Sequence, residues 1–277
     1  MGSLKRLVSV LLALSVCGCA SWDEPVRTPP SFPAPRISRD MIVLEIEFVR
    51  FGEDQRDELS GLWGLLDEQQ LSPELRRRLA VNGLRCGVIE SQLPPVLQEA
   101  LAEKRQPLQQ LALGETPDAD RSFENHRQLT CRFGTKYKIV TTPEAERRVV
   151  MINQGDRVRG REFLKATGLF SLVCTPLGDG LVTLQLTPQV EHGEFRQRIV
   201  PGQSHFIVDP SREQTTFESL GFETTLSPGA TLVLSGSTDS KGLGGWYFGE
   251  GADRGLMLVR LVQTQLDNLF SDDTLGL

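Results

Sequence analysis

The chain has 277 residues, 39% hydrophobic and 6% aromatic, with 30 Lys and Arg against 36 Asp and Glu for a formal charge of −6. That acidic balance excludes nucleic-acid binding through a general basic field, and the few aromatics exclude a stacking platform for single strands. Five cysteines do not make a disulfide scaffold in a chain this long, which can build its core by hydrophobic burial alone.

The first residues carry the three zones of a secretory signal. Lys5 and Arg6 supply positive charge, Leu7 to Val16 form an apolar run broken only by Ser9 and Ser15, and small residues with cysteines follow. The run is about ten residues, short of the roughly 20 that a membrane-spanning helix needs. Val16-Cys17-Gly18-Cys19 resembles a lipobox, with Gly18 just before the cleaved bond and Cys19 as lipid acceptor. Cys17 is the poorer acceptor, because Val16 would then sit at that bond. Residues 1–18 are therefore expected to be a signal peptide, and Cys19 to carry the lipid anchor, palmitate included. Ala20 and Ser21 follow with no aspartate beside the cysteine, which in the lipoproteins this resembles directs export to the outer membrane. Cleavage removes Lys5 and Arg6 but no acid, leaving 28 bases, 36 acids and a charge of −8.

Residues 19–39 hold Pro25, Pro29, Pro30, Pro33 and Pro35 with almost no apolar periodicity. They read as an extended linker, which at about 3.1 Å per residue holds the folded part about 50–60 Å from the bilayer. Order begins at Met41, where Ile42, Leu44, Ile46 and Phe48 alternate as the buried face of a strand. Leu59, Leu62, Trp63 and Leu66 follow at helical spacing. Ser72-Pro73 caps a second helix and Asn82-Gly83 stops it. Leu84, Cys86 and Val88 alternate as a strand, and Pro94-Pro95 opens a third helix. The result is a βααβα unit over 40–105. Residues 106–125 are polar and read as a linker.

From 126 to 266 the texture is that of strands, expected at 127–133, 136–142, 147–153, 170–176, 180–190, 194–200, 205–209, 212–225, 230–236 and 255–265. Gly and Pro punctuate them at hairpin spacing. One short helix is expected at 160–167, and 267–277 form a tail.

Chemistry is sparse. His126, His192 and His205 lack metal-ligand spacing, and no cysteine pair offers a zinc half-site. Cys86, Cys131 and Cys174 sit in apolar or alternating runs and read as small buried side chains. His192 reads as an exposed turn histidine beside Glu191, and Ser235 as a strand end without a nucleophile elbow. The glycine run 242–251 lacks the Lys-Ser/Thr end of a P-loop and reads as a hairpin tip. Its Trp246-Tyr247-Phe248 either docks on a partner or membrane interface or packs back onto its own domain. Arg76-Arg77-Arg78 read as a solvated helix face rather than a binding patch.

Three pieces resemble the carboxy-terminal β domain of bacterial secretins, the ring channels of type II and III secretion and type IV pili. They are Gly180 to Val190, an alternating strand ending at a proline turn; Leu226 to Gly236, a turn glycine leading an apolar strand; and Gly255 to Gln263, a closing apolar strand. With Glu213 to Thr225 they cover about 85 residues. The amino-terminal unit is similar to short secretin-related lipoproteins of planctomycete type. The chain departs from the family in lacking its several periplasmic domains and the long hairpins of its channel wall. Arg196, Arg198, Asp209 and Arg212 crowd 194–212, where such a hairpin would sit, so no pore is expected.

The resemblance implies an α+β chain, a small βααβα unit followed by a β-rich secretin-like domain. The function expected is that of a non-enzymatic outer-membrane lipoprotein facing the periplasm, without cofactor, metal or catalytic residue. It would be held to the membrane by its lipid and would pair through a strand edge with itself or a larger secretin-like protein. The alternative is a periplasmic module binding a polysaccharide or peptide.

Overall fold

The computed structural model describes residues 41–90, 92–111, 127–155, 157–201, 206–237, 242–250 and 253–265. The signal, Cys19, the proline-rich segment, residues 112–126, the tail, His126 and His205 lie outside them.

Alternation gives β1 (Met41–Phe51), whose Ile42, Leu44 and Ile46 enter the main core. Its other face is not solvated, because Val49 and Phe51 pack under helices. Those helices are α1 (Arg56–Trp63) and α3 (Pro95–Leu111), which bring Leu59, Leu62, Trp63, Leu97 and Leu101. Between them lies α2 (Pro73–Val81), where the Ser72 Oγ accepts from the Leu75 N–H at 3.3 Å and Pro73 opens the first turn. Gly83, at φ +76°, turns the chain out of α2 into β2 (Leu84–Ile89). The third helix runs to Leu111, past the boundary expected at 105.

The remaining elements are β3 (Arg127–Arg132), β4 (Lys136–Val140), β5 (Ala145–Gln154), β6 (Arg157–Pro176), β7 (Val182–Pro201), β8 (Phe206–Thr216), β9 (Phe222–Leu226), β10 (Thr231–Gly236), α4 (Gly242–Phe248), β11 (Gly249–Glu250) and β12 (Asp253–Gln265). The chain is thus mostly β-sheet with a few helices, a β-rich α+β architecture.

The amino-terminal and carboxy-terminal parts do not form separate domains. One antiparallel sheet runs β2-β10-β12-β1-β3, with β11 on β12. Its β1–β12 ladder extends from Met41↔Gln265 to Phe51↔Arg254, and β10 sits between β2 and β12. The described residues accordingly belong to a single compact unit. On its own β1 would leave both edges with unpaired backbone donors and acceptors; β12 pairs one edge along its length and β3 pairs the other from Met41 to Ile46. The uncharged strand β10 is therefore central, with Leu232 and Leu234 on the main core and Val233 on the helix side.

The second antiparallel sheet is β4-β6-β7-β8, with β5 also on β6 and β9 also on β7. It packs Phe170, Leu172, Leu184 and Leu186 against Ile42, Leu44, Met257 and Val259 of the first. Each such side chain contributes about 1.5–3 kcal/mol on burial. The layers are therefore helices, first sheet, second sheet.

Two expectations are corrected here. Residues 160–167 are strand, not helix, because β5 pairs along them from Arg161 to Ala166. Long hairpins are also present, since β6 and β7 are 20 residues each.

Candidate functional site

The two long strands part company at one point. The β6–β7 ladder runs from Pro176↔Val182 to Thr167↔Glu191. Beyond it, β6 continues with β5 as one hairpin and β7 with β8 as another. Three features create the split. Lys165 takes φ +46°, a left-handed conformation costly for a residue with a Cβ. Gly193 takes φ +78° opposite it, and the β7–β8 register shifts between His192 and Arg196. At the third, Thr141 and Thr142 donate backbone N–H groups to the Gly168 carbonyl while the Thr142 Oγ1 accepts from the Gly168 N–H, which turns β4 into β5.

Arg212 of β8 fills the fork. Its Nε donates to the Gly193 carbonyl at 2.9 Å, one terminal nitrogen donates to Glu144 at 2.6 Å, and the other donates to the Lys165 carbonyl. The side chain is only 6% exposed. One planar guanidinium thus ties together β6, β7, β8 and the β4–β5 corner, a set of donors that lysine cannot copy. The sequence drew attention to Arg212 only as one charge in a crowded stretch.

Beyond the fork the hairpins carry unusual surface. Val149 and Met151 of β5 and Val158 and Leu164 of β6 share one face by register, and each is more than half exposed. The opposite face buries Val150, Ile152 and Phe163. On the other hairpin Phe195 is exposed and lies 5.3 Å from Arg212. Among the described residues, β5 and β8 each pair with a strand on one side only, and the outer backbone of β5 is met at Asn153 by the Asn82 side chain.

Trp246, Tyr247 and Phe248 do not belong to this surface. They lie in α4 rather than a hairpin tip, and all three are buried, which corrects the partner-contact reading. The Tyr247 hydroxyl donates to the Gln189 carbonyl, and its ring meets Phe170 edge-on at 5.4 Å. Burial pushes the Tyr247 phenol far above its ordinary range. The trio therefore braces the base of the hairpins from beneath.

His192 is likewise not an exposed turn residue. It lies within β7, 5.1 Å from the Phe163 ring and 2.9 Å from the Thr215 hydroxyl. Ser235 is buried and donates to the Gly255 carbonyl at 2.9 Å. Cys86, Cys131 and Cys174 are free and buried. Among the described residues, no cluster of His, Cys, Asp and Glu could hold a metal, and no helix is long and apolar enough to cross a membrane.

No family model, curated protein or solved structure matches this chain.

Proposed function

We propose that the chain is a non-enzymatic outer-membrane lipoprotein, anchored through Cys19, that contributes a secretin-like β module to an envelope assembly. The βααβα segment and the secretin-like strands act as one body, and the two hairpins beyond the Arg212 fork are its contact surface. The observation that carries this reading is the pair of one-sided strands, β5 and β8, beside exposed Val149, Met151, Val158 and Leu164. Backbone pairing at such an edge supplies affinity, and alternate side chains supply specificity. The partner is a second copy or a larger secretin-like protein.

A photo-crosslinking residue placed at Val149, and separately at Phe195, tests this in intact cells. Protein adducts from both hairpins, together with an oligomer or a co-purifying β protein in mild detergent, are expected. A chain that stays monomeric at high concentration and gives no adduct would sink the assembly reading. The alternative, a module for a polysaccharide or peptide, is supported by a groove of about 430 Å³ beside Val81, Met151 and Trp246.

A further inference from the structure

Cys131 of β3 and Cys174 of β6 belong to different sheets, yet the register brings them to one corner of the core. β4 enters its ladder with β6 at Lys136↔Val173, so Cys174 lies one residue further, beside the connection from β3 to β4. That connection is tight: the Thr135 N–H donates to the Arg132 carbonyl at 3.2 Å, and Gly134 takes φ +70°. The Arg132 N–H also donates to the Tyr137 hydroxyl at 2.7 Å, which folds the end of β3 over the start of β4. Alternation turns Cys131 inward with Leu129, and Cys174 inward with Phe170 and Leu172. Both are free thiols, 0% exposed, and they share a hydrogen bond. Cys86 is out of reach of this pair. Its strand β2 and Cys131's strand β3 are opposite edges of the first sheet, four strand spacings or about 19 Å apart.

We propose that Cys131 and Cys174 form a disulfide that staples the two sheets together when the chain folds in the presence of a disulfide donor. The donor is a small-molecule disulfide or a disulfide-bearing oxidoreductase. One cysteine thiolate attacks the donor's S–S bond, giving a mixed disulfide and releasing one donor thiol. The other cysteine thiolate then attacks the mixed bond, closing Sγ–Sγ and releasing the second donor thiol. The two cysteines lose two electrons and two protons, and the donor disulfide is reduced to two thiols. In the finished fold no donor reaches the pair, because neither thiol is exposed. The hydrogen bond with Cys131, and next burial, also hold the Cys174 thiol far above its ordinary range, away from the attacking thiolate form. The bridge therefore closes before the sheets do, and it then constrains the unfolded chain across 131–174. Donors of this kind act outside the cytoplasm, so the bridge in cells rests on the export reading above, whereas the pairing itself does not.

Refolding the full chain from urea, in mixed oxidised and reduced glutathione or in reductant alone, tests the pairing. Maleimide blocking and peptide mapping by mass spectrometry then read each cysteine separately. From glutathione, the peptides holding Cys131 and Cys174 should be joined and lighter by two hydrogens, with maleimide on Cys86 after unfolding. From reductant, all three should carry maleimide after unfolding. The urea midpoint should be higher for the bridged chain than for the reduced one, and Cys131→Ala or Cys174→Ala should abolish that difference. If neither variant folds, the mapping of the wild-type chain decides alone. Maleimide on both Cys131 and Cys174 after refolding in glutathione, or a bridge to Cys86, overturns the proposal. The same mapping on chain taken from cells separates the two readings. A pair that bridges in glutathione but is reduced in cells upholds the pairing and counts against export.

Discussion

The Asn82 carboxamide pairs in both directions with the backbone of Asn153, 71 residues away. Its Nδ2 donates to the Asn153 carbonyl at 3.1 Å, and its Oδ1 accepts from the Asn153 N–H at 2.8 Å. A second Nδ2 bond reaches the Arg78 carbonyl at 2.9 Å, so one side chain both ends α2 and clamps β5 to it. Asn82 is 1% exposed, and water cannot replace these bonds freely. Asn82→Ala is expected to cost about 1–3 kcal/mol, because it strands partly buried backbone groups. Asn82→Asp keeps the acceptor but turns a second oxygen toward the Asn153 carbonyl, and should cost a similar amount. Urea unfolding of both variants checks this, and a loss of a few tenths of a kcal/mol in each would refute the clamp.

Gly168 and Tyr247 meet in the same way at the base of the hairpins. A Cβ at 168 would lie 2.5 Å from Tyr247 Cε1 and 2.8 Å from Cδ1. Gly168→Ala must displace a buried ring, at a cost of about 1–3 kcal/mol. Tyr247→Phe removes only the hydroxyl bond to Gln189 and should cost about 1 kcal/mol. Because Gly168→Ala displaces the ring that carries this hydroxyl, the two effects in the double variant should not add. Strict additivity would show that the hydroxyl keeps its bond to Gln189 when a Cβ is added at 168.

Local signals were legible where chemistry is local. Ser72-Pro73 and Asn82-Gly83 marked the ends of α2, and alternation marked β1 and β7. The failures come from partners distant in sequence. Residues 161–167 contain Glu162, Leu164, Lys165 and Ala166, good helix formers, and are drawn into a strand by β5 pairing alongside. The glycines of 242–251 look like a loose turn, yet a Cβ on Gly244 would lie 1.6 Å from the Gly83 carbonyl oxygen. They are there so that α4 can approach the start of β2. The pairing of β1 with β12 spans most of the chain and leaves no mark in a single sequence, so the expected domain boundary could not be rejected beforehand. Arg212 was visible as a residue but not as a fork.

His192 gives the fold a dependence on pH. Burial, and next the Arg161 guanidinium, hold its pKa below the ordinary 6.5, with Arg212 acting in the same direction and Glu213 opposing. The unfolded chain therefore takes up this proton first as pH falls. The contribution is fully present above about pH 6.5 and is lost on going below it. Unfolding midpoints of the wild type and His192→Gln should converge on acidification. Parallel pH profiles would show that the imidazole does not feel this environment.

The thiol of Cys86 behaves oppositely. Burial, followed by the nearby Glu68 carboxylate, pushes it from 9.0 up to about 12. Below about pH 9 the proton is present in both states and nothing changes. Between 9.0 and about 12 the unfolded chain loses it while the folded chain keeps it, so stability falls as pH rises. At pH 8 a maleimide should leave the folded chain untouched and label Cys86, Cys131 and Cys174 in urea. Labelling of Cys86 in the native state would mean that the wall between α2 and β2 is open.

The strongest test of the contact surface is Arg212. Its three acceptors belong to segments that otherwise separate, so removing it should loosen the hairpins without dissolving the sheets. Arg212→Ala strands the Lys165 and Gly193 carbonyls and releases Glu144, at a local cost of about 2–3 kcal/mol. Arg212→Lys keeps the charge but cannot reach all three directions, so it should behave closer to alanine than to wild type. Hydrogen exchange separates local loosening from global unfolding. Amides of 157–166 and 192–201 should exchange faster in both variants, whereas those of β10 and β12 should keep their protection. If association runs through β5 and β8, crosslinking from Val149 and Phe195 should fall in step with that loosening. Hairpins that loosen while crosslinking persists would place the partner elsewhere, and unchanged exchange in both hairpins would remove Arg212 from its role in the fork.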